Sequence, residues 1–135
     1  MPKAKNVLLF AQQSAFDCVC VAMRQQARPA LNRVGRAAYE ASYGGQTHYC
    51  SVGCLMTAQE LDHLRRGKRS SATIEELGST FVSKLVKRLG CSVNFLVDLQ
   101  EAHDDVLDES DWLSAWKGRM KRVAKKHRLS AVQLR

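Results

Sequence analysis

The sequence lacks an uninterrupted apolar run of the about 18 residues that a membrane-spanning helix requires. Its most apolar stretch, NVLLFAQQSAFDCVCVAM at residues 6–23, is interrupted by Gln12, Gln13, Ser14 and Asp17. The basic start MPKAK leads into no uninterrupted apolar core and no cleavage site, so no signal peptide is predicted. These absences predict a cytoplasmic protein that makes no membrane contact.

Internal repeats, low-complexity linkers and glycine-rich phosphate loops are also missing from the sequence. The chain has 135 residues, of which 45% are hydrophobic and 25% charged, values typical of one soluble domain with a real core. We therefore predict a single domain over residues 1–135.

Cysteine is present but not in a disulfide pattern. The five residues Cys18, Cys20, Cys50, Cys54 and Cys91 are odd in number and irregular in spacing. A secreted disulfide framework would show an even count in a smaller, loop-rich chain. The cysteines are therefore predicted to be reduced thiols.

Positive charge predominates, with a formal net charge of +8, and it lies at the two ends. Residues 1–36 carry six Lys/Arg against one acid, and residues 111–135 carry eight against one. The middle, residues 37–110, carries seven Lys/Arg against eleven acids. The basic ends either bind nucleic acid or an acidic protein, or pack against the acidic middle of the same chain.

Hydrophobic periodicity predicts a mainly α protein with about five or six helices. We expect helices over residues 6–27, 57–66, 80–89 and 93–107, short helical pieces over 30–42 and after Thr73, and a final helix that Ser110 caps. One small β-hairpin or irregular β element is predicted near residues 42–54, where Gly44-Gly45 favours a turn. Residues 130–135 are predicted to form a frayed tail.

One cluster of possible metal or thiol chemistry is HYCSVGCL at residues 48–55. His48, Cys50 and Cys54 are candidate zinc ligands, and a reactive thiol is a second interpretation. The alternative is structural: Cys50 is buried, and Gly53 permits a tight turn. We favour the structural interpretation, because no second pair of cysteines has ligand spacing, and we predict no metal and no cofactor.

A second cluster, LQEAHDD at residues 99–105, places His103 beside Asp104. Such a pair can perform acid-base chemistry or bind a metal. It can also make only structural hydrogen bonds, and no partner nucleophile is identifiable. We therefore lean towards a protein that is not an enzyme, while a metal- or thiol-dependent enzyme using Cys50, His103 and Asp104 stays an alternative.

The final helix, WLSAWKGRMKRVAKKH, is amphipathic and basic. At about 100° per residue its aromatic and aliphatic side chains share one face, which predicts a core contact, and cations cover the rest. The candidate residues for binding a partner or nucleic acid are Arg65, Arg66, Lys68, Arg69, Lys117, Arg119, Lys121, Arg122, Lys125, Lys126 and Arg128. In a nucleic-acid complex, Lys3, Lys5, Arg24, Arg28, Arg33 and Arg36 would assist them.

The order of motifs YCSVGCLM, FLVDLQEAHDD and WLSAWKGRMKRVAKKHRLS resembles a family of small uncharacterised proteins from bacteria and tailed bacteriophages. Its members show a Cys-Ala-Val/Ile-Gly turn, a Leu-Gln-x-x-His-Asp stretch and a similar final helix. The resemblance covers roughly residues 47–130, and the matching positions are Cys50, Gly53, Leu99, Gln100, His103 and Asp104. Because the turn and the His-Asp pair occur together in the family, the resemblance implies that they touch, and that His103 and Asp104 support the turn at Cys50 and Gly53 by hydrogen bonds. Cys54 is not general to that family, which argues against a two-cysteine metal site.

The resemblance implies a phage or mobile-element origin rather than a specific chemistry. With no catalytic motif, it leads us to expect a non-catalytic interaction protein that acts in the host cytoplasm. Such a protein would bind a host protein or ribonucleoprotein, in the defence or transcription machinery, and modulate or inhibit it. A basic nucleic-acid-binding protein without strong sequence specificity is the alternative.

Overall fold

Five α-helices and one β-hairpin form the described part of the chain, residues 4–135, in a computed structural model whose side chains are described from residue 6. The helices are α1 (Ala4–Gln26), α2 (Ala58–Arg66), α3 (Ser79–Leu89), α4 (Val93–Asp104) and α5 (Trp112–His127). The strands are β1 (Glu40–Tyr43) and β2 (Gln46–Tyr49), and short 3-10 turns cover Gly53–Leu55, Ile74–Leu77 and Val132–Leu134. The predicted mainly α, single-domain fold is confirmed. Lys3 and the side chain of Lys5 lie outside the described residues.

The first helix is the central helix of the core. One face buries Phe16, Val19 and Met23 completely, while the opposite face leaves Val7 and Phe10 exposed by 52% and 76%. The segment Asn6–Gln26 has the length and apolar composition of a membrane span, with a mean hydropathy of 1.3. In this fold its buried face supplies the centre of the hydrophobic core.

Most helix boundaries follow from local capping chemistry. Thr57 and Glu60 form the expected capping box at the start of α2, and the Ser92 hydroxyl accepts the Phe95 amide at the start of α4. Gly90 ends α3 in the left-handed conformation, with φ +70°. At α5 the predicted cap, Ser110, is wrong by one residue: the carboxylate of Asp111 accepts the Ser114 amide.

The hairpin is confirmed, but it begins earlier than predicted and is shorter. Glu40 pairs with Tyr49 and Tyr43 with Gln46, in antiparallel register. The two-residue turn uses Gly44 and Gly45 at φ +61° and +76°, conformations that the favoured two-residue hairpin turns require. Residues 50–55 leave the hairpin and form a separate tight turn.

The short helix predicted over residues 30–42 is wrong. Leu31 and Ala37 instead form an isolated antiparallel bridge. The Asn32 side-chain oxygen accepts the amides of Val34 and Arg36 at 3.0 Å each, so it replaces the helical acceptors of those amides. Gly35, at φ +80°, turns the chain back towards Ala37.

The frayed tail predicted over residues 130–135 is also not what the structure has. Gln13 of α1 donates to the Ser130 carbonyl at 3.0 Å and accepts the Ser130 amide at 2.7 Å. Leu134 is only 3% exposed, and Arg24 donates to the Gln133 carbonyl at 2.6 Å. The segment is therefore held against α1 by paired hydrogen bonds and one apolar anchor.

Helices α4 and α5 pack against each other through the aromatic face of α5. Trp112 and Trp116 stack with their ring centroids 5.8 Å apart, and both are buried. The Trp112 indole donates to the His103 carbonyl at 3.2 Å. The apolar face of α5 is therefore part of the core, and the rest of the helix is left for its charged side chains.

Candidate functional site

The turn at residues 50–53 is built on a close approach of two backbone segments. A Cβ atom on Gly53 would lie 1.9 Å from the Tyr39 carbonyl oxygen, so only glycine fits there. The Gly53 amide donates to the Cys50 sulfur at 3.2 Å, and the Cys50 amide donates to Tyr39. Cys50 therefore holds the turn from inside the core, where it is 1% exposed.

His103 is fully buried and both of its ring nitrogens are engaged. Nε2 accepts the Ala30 amide at 2.9 Å, so Nδ1 must carry the proton, and it lies 2.7 Å from the Asp104 carboxylate. We expected His103 to bond the turn at residues 50–53, but it holds the loop that follows α1 instead. The resulting Asp-His pair resembles a catalytic dyad, but its outer nitrogen is occupied by a backbone amide.

Gln100, one turn earlier on α4, also makes buried hydrogen bonds to distant segments, a role that we did not predict from the sequence. Its side-chain oxygen accepts the Ile74 amide at 3.1 Å, and its nitrogen donates to the Tyr39 hydroxyl at 2.8 Å. A glutamine on an otherwise apolar buried face is the signal that could have revealed it, since buried amides are hydrogen-bonded. Helix α4 thus fastens three separate segments with two polar side chains.

A cavity of about 330 Å³ lies beside this network and is lined in part by Tyr39, Cys50, Gln100 and Asp104. The Cys50 thiol in this lining is poorly suited to nucleophilic chemistry, because burial raises its pKa to about 12. Burial also raises the pKa of Tyr39 far above its usual value. With the His103 nitrogen bound to Ala30, the network has no free base to activate the thiol, and its geometry is that of a structural support.

The three candidate metal ligands have separate environments. Cys54 donates to the Ser51 carbonyl at 3.1 Å, and Cys50 accepts the Gly53 amide. The His48 ring stacks on Tyr43 with centroids 4.1 Å apart, and burial, followed by the charge of Arg28, lowers its pKa. Within residues 4–135, no three His, Cys, Asp or Glu side chains are grouped so that they could hold a metal ion.

The cations of α5 divide into two sets. Lys126 pairs with Asp98 at 2.9 Å, and Arg119 lies 3.8 Å from Asp105, so these two turn towards the acids of α4. The others have no salt bridge to any residue that the structure describes. Among them, Arg122 borders a small cavity that Asp98 and Glu101 of α4 also line. We call this second set the α5 basic face: Lys117, Lys121, Arg122, Lys125 and Arg128, with Ser114 and Gly118 between them.

Most of the cations around the end of α2 already have partners within the protein. Arg66 pairs with Asp62 at 2.9 Å, and Arg65 lies 3.8 Å from Glu40. Arg69 donates to the Glu76 carbonyl at 3.3 Å. These residues contribute to positive surface, but much of their charge is balanced locally, and the α5 basic face is the stronger candidate for a binding site.

Comparisons with known proteins add no assignment: no family model, no curated protein and no solved structure matches this chain.

Proposed function

We propose that this protein acts by binding a macromolecule rather than by catalysis, and that the α5 basic face is its binding surface. Cys50 and His103, two of the candidate groups for chemistry, are each committed to a hydrogen bond that maintains the fold. The α5 basic face, by contrast, carries cations that form no salt bridge with any residue that the structure describes.

The observation that carries the proposal is the charge pattern of α5. Helix α5 contains no acidic residue, and Lys117, Lys121 and Lys125 follow each other at intervals of four residues. Like charges at this spacing destabilise a helix by about 0.2–0.5 kcal/mol per pair. A helix that keeps such a row exposed gains by placing it against a negative surface, where these repulsions become attractions.

The biological role that we propose combines this surface with the motif resemblance. A phage- or mobile-element-encoded protein with this surface would bind a host protein or ribonucleoprotein complex in the cytoplasm. It would then modulate or inhibit that complex, in the defence or transcription machinery. Direct binding to nucleic acid is the second candidate, and it is favoured by the same acid-free row of cations.

The test is affinity capture from a bacterial lysate with three immobilised proteins: wild type, K121E/K125E and K84E/K87E. The last variant makes the same charge change on the exposed side of α3 and is the matched control. Wild type and the α3 variant should capture the same partner, and K121E/K125E should lose it. All three should melt at nearly the same temperature, because exposed pairs contribute only about 0–1 kcal/mol. Equal capture by wild type and K121E/K125E would contradict the proposal.

A further inference from the structure

Gly118 lies in the middle of α5 at the centre of the α5 basic face, and it is exposed. Glycine is among the least favourable residues inside a helix. A Cβ atom added at Gly118 would meet no heavy atom within 4 Å, whereas one added at Gly53 would strike the Tyr39 carbonyl. Packing among the residues that the structure describes therefore gives no reason for a glycine at position 118.

Because position 118 has no side chain and is exposed, a partner can reach the helix backbone there. Ser114, one turn earlier on the same side, is also small and exposed. Together they form a shallow strip with Lys117 and Lys121 on one side and Arg122 on the other, when the residues are placed at about 100° per residue around the helix. A partner can thus approach the helix closely at Gly118 while the flanking cations reach around it.

We propose that the α5 basic face binds the phosphate backbone of double-stranded nucleic acid, with Gly118 at the point of closest approach. This inference rests on the part of the proposed function that makes the α5 basic face the binding surface, and it takes the second candidate partner, nucleic acid. Phosphates sit directly on the duplex backbone, so a helix that lies close to the duplex can bring several cations against them at once. Acidic side chains of a protein partner can extend to meet lysines, and they would not require the bare backbone at Gly118.

The composition of the face favours duplex over single strands. Single-strand binding proteins combine cations with aromatic side chains on which the bases stack. The two aromatic residues of α5 are both turned into the core, with Trp112 6% and Trp116 0% exposed. The exposed face also carries no Asn or Gln, the residues that read adenine edges, and we expect its cations to contact phosphates, which carry no sequence information.

The experiment is a fluorescence-anisotropy titration of a labelled duplex of random sequence and of its single strand, at two salt concentrations. Wild type should bind the duplex more tightly than the single strand. Contact by three to five cations predicts that log K falls with log salt at a slope of roughly −3 to −4.5. K121E/K125E should bind at least about tenfold more weakly, and K84E/K87E should bind within about threefold of wild type.

The decisive variants are Gly118→Ala and Gly118→Gln, which add bulk at position 118 without changing charge. Both should raise the melting temperature, because each replaces glycine with a better helix former. Both should nevertheless weaken duplex binding, by roughly threefold for alanine and tenfold or more for the larger glutamine. Ser83→Ala, on the exposed side of α3, is the control that changes helix propensity alone and should leave binding unchanged.

The outcomes separate the inference from the proposed function. If both Gly118 variants bind duplex as wild type does while K121E/K125E does not, the close approach is wrong and the basic face is still the binding surface. If wild type binds the single strand more tightly, the assignment to duplex is overturned. If wild type binds neither nucleic acid at low salt, the partner class is wrong, and an acidic protein captured only by proteins with an intact basic face would replace it.

Discussion

Replacing two different glycines with alanine should shift stability in opposite directions. At Gly53 the new Cβ atom would lie 1.9 Å from the Tyr39 carbonyl oxygen. An ordinary carbon-oxygen contact is about 3.3–3.6 Å, so the turn and the start of β1 must separate by about 1.4 Å or more. At Gly118 the same atom meets nothing within 4 Å. The chemical change is identical, and only the surroundings differ.

The expected magnitudes follow from these surroundings. Overpacking at Gly53 costs about 1–3 kcal/mol, and weakening of the Cys50 amide bond to Tyr39 adds about 1 kcal/mol. The free energy of unfolding should therefore fall by about 2–4 kcal/mol, a large share of the roughly 5–15 kcal/mol typical of a domain. Gly118→Ala should raise it by about 0.5–1 kcal/mol, because alanine is the better helix former.

Urea unfolding followed by circular dichroism measures both values, and thermal melting checks them. For a chain of this size we expect about 3–5 °C per kcal/mol, so Gly53→Ala should melt roughly 10 °C below wild type. Gly118→Ala should melt about 2–4 °C above wild type. If Gly53→Ala melts within about 2 °C of wild type, the contact with Tyr39 does not require a glycine, and our account of the turn is refuted.

Three further predictions concern the core and the buried thiols. Trp116→Ala should lower the free energy of unfolding by about 3–5 kcal/mol in urea, and unchanged stability with lost partner binding would show that the aromatic face is an interface. His103→Leu should cost roughly 1–3 kcal/mol, because it leaves the Ala30 amide unpaired, while Asp104→Asn, which keeps an acceptor for Nδ1, should cost less. Burial raises the pKa of Cys50 to about 12 from 9.0, so the folded state keeps its proton when the unfolded thiol has lost it. The contribution of the protonated Cys50 thiol to the free energy of unfolding is fully present below pH 9.0. It is lost above that pH, by up to about 1.4 kcal/mol per pH unit. The urea midpoint should therefore fall between pH 9 and 10.5, and a constant midpoint would contradict the buried state of the thiol.

Local signals account for the parts of the fold that sequence could predict. The apolar periodicity of α1 and α5, the capping box at Thr57 and the left-handed Gly90 each act within a few residues, so their patterns are visible in the sequence. The segment at residues 30–42 shows the limit of such local signals. Its helical composition is overridden by the hydrogen bonds of the Asn32 side chain and by the positive φ of Gly35. Intrinsic helix propensity reflects neither feature.

The buried polar network could be predicted only in part. The sequence identified Cys50, Gly53, His103 and Asp104 as residues that matter, but not what they contact. The acceptor that His103 offers to Ala30 joins residues 73 positions apart, and the Gln100 contact with Tyr39 spans 61 positions. Hydrophobic periodicity and capping rules carry no information about such distant partners. The basic face, in contrast, follows from spacing alone, although its separation from the acids of α4 required the fold.

The contacts between α1 and residues 130–134 have a consequence for synthesis. During translation α1 is made before Ser130 and Leu134, which complete its packing. Helix α1 therefore lacks its contacts with residues 130–134 until nearly the whole domain has been made. Until residues 130–134 have been made, part of the apolar surface of α1 stays exposed in the nascent chain. We expect general chaperones that bind apolar helices to contact it during this time. Pairing Gln13 with Ser130 closes a loop of 117 positions, so this contact has a high loop-closure entropy and should form late in folding.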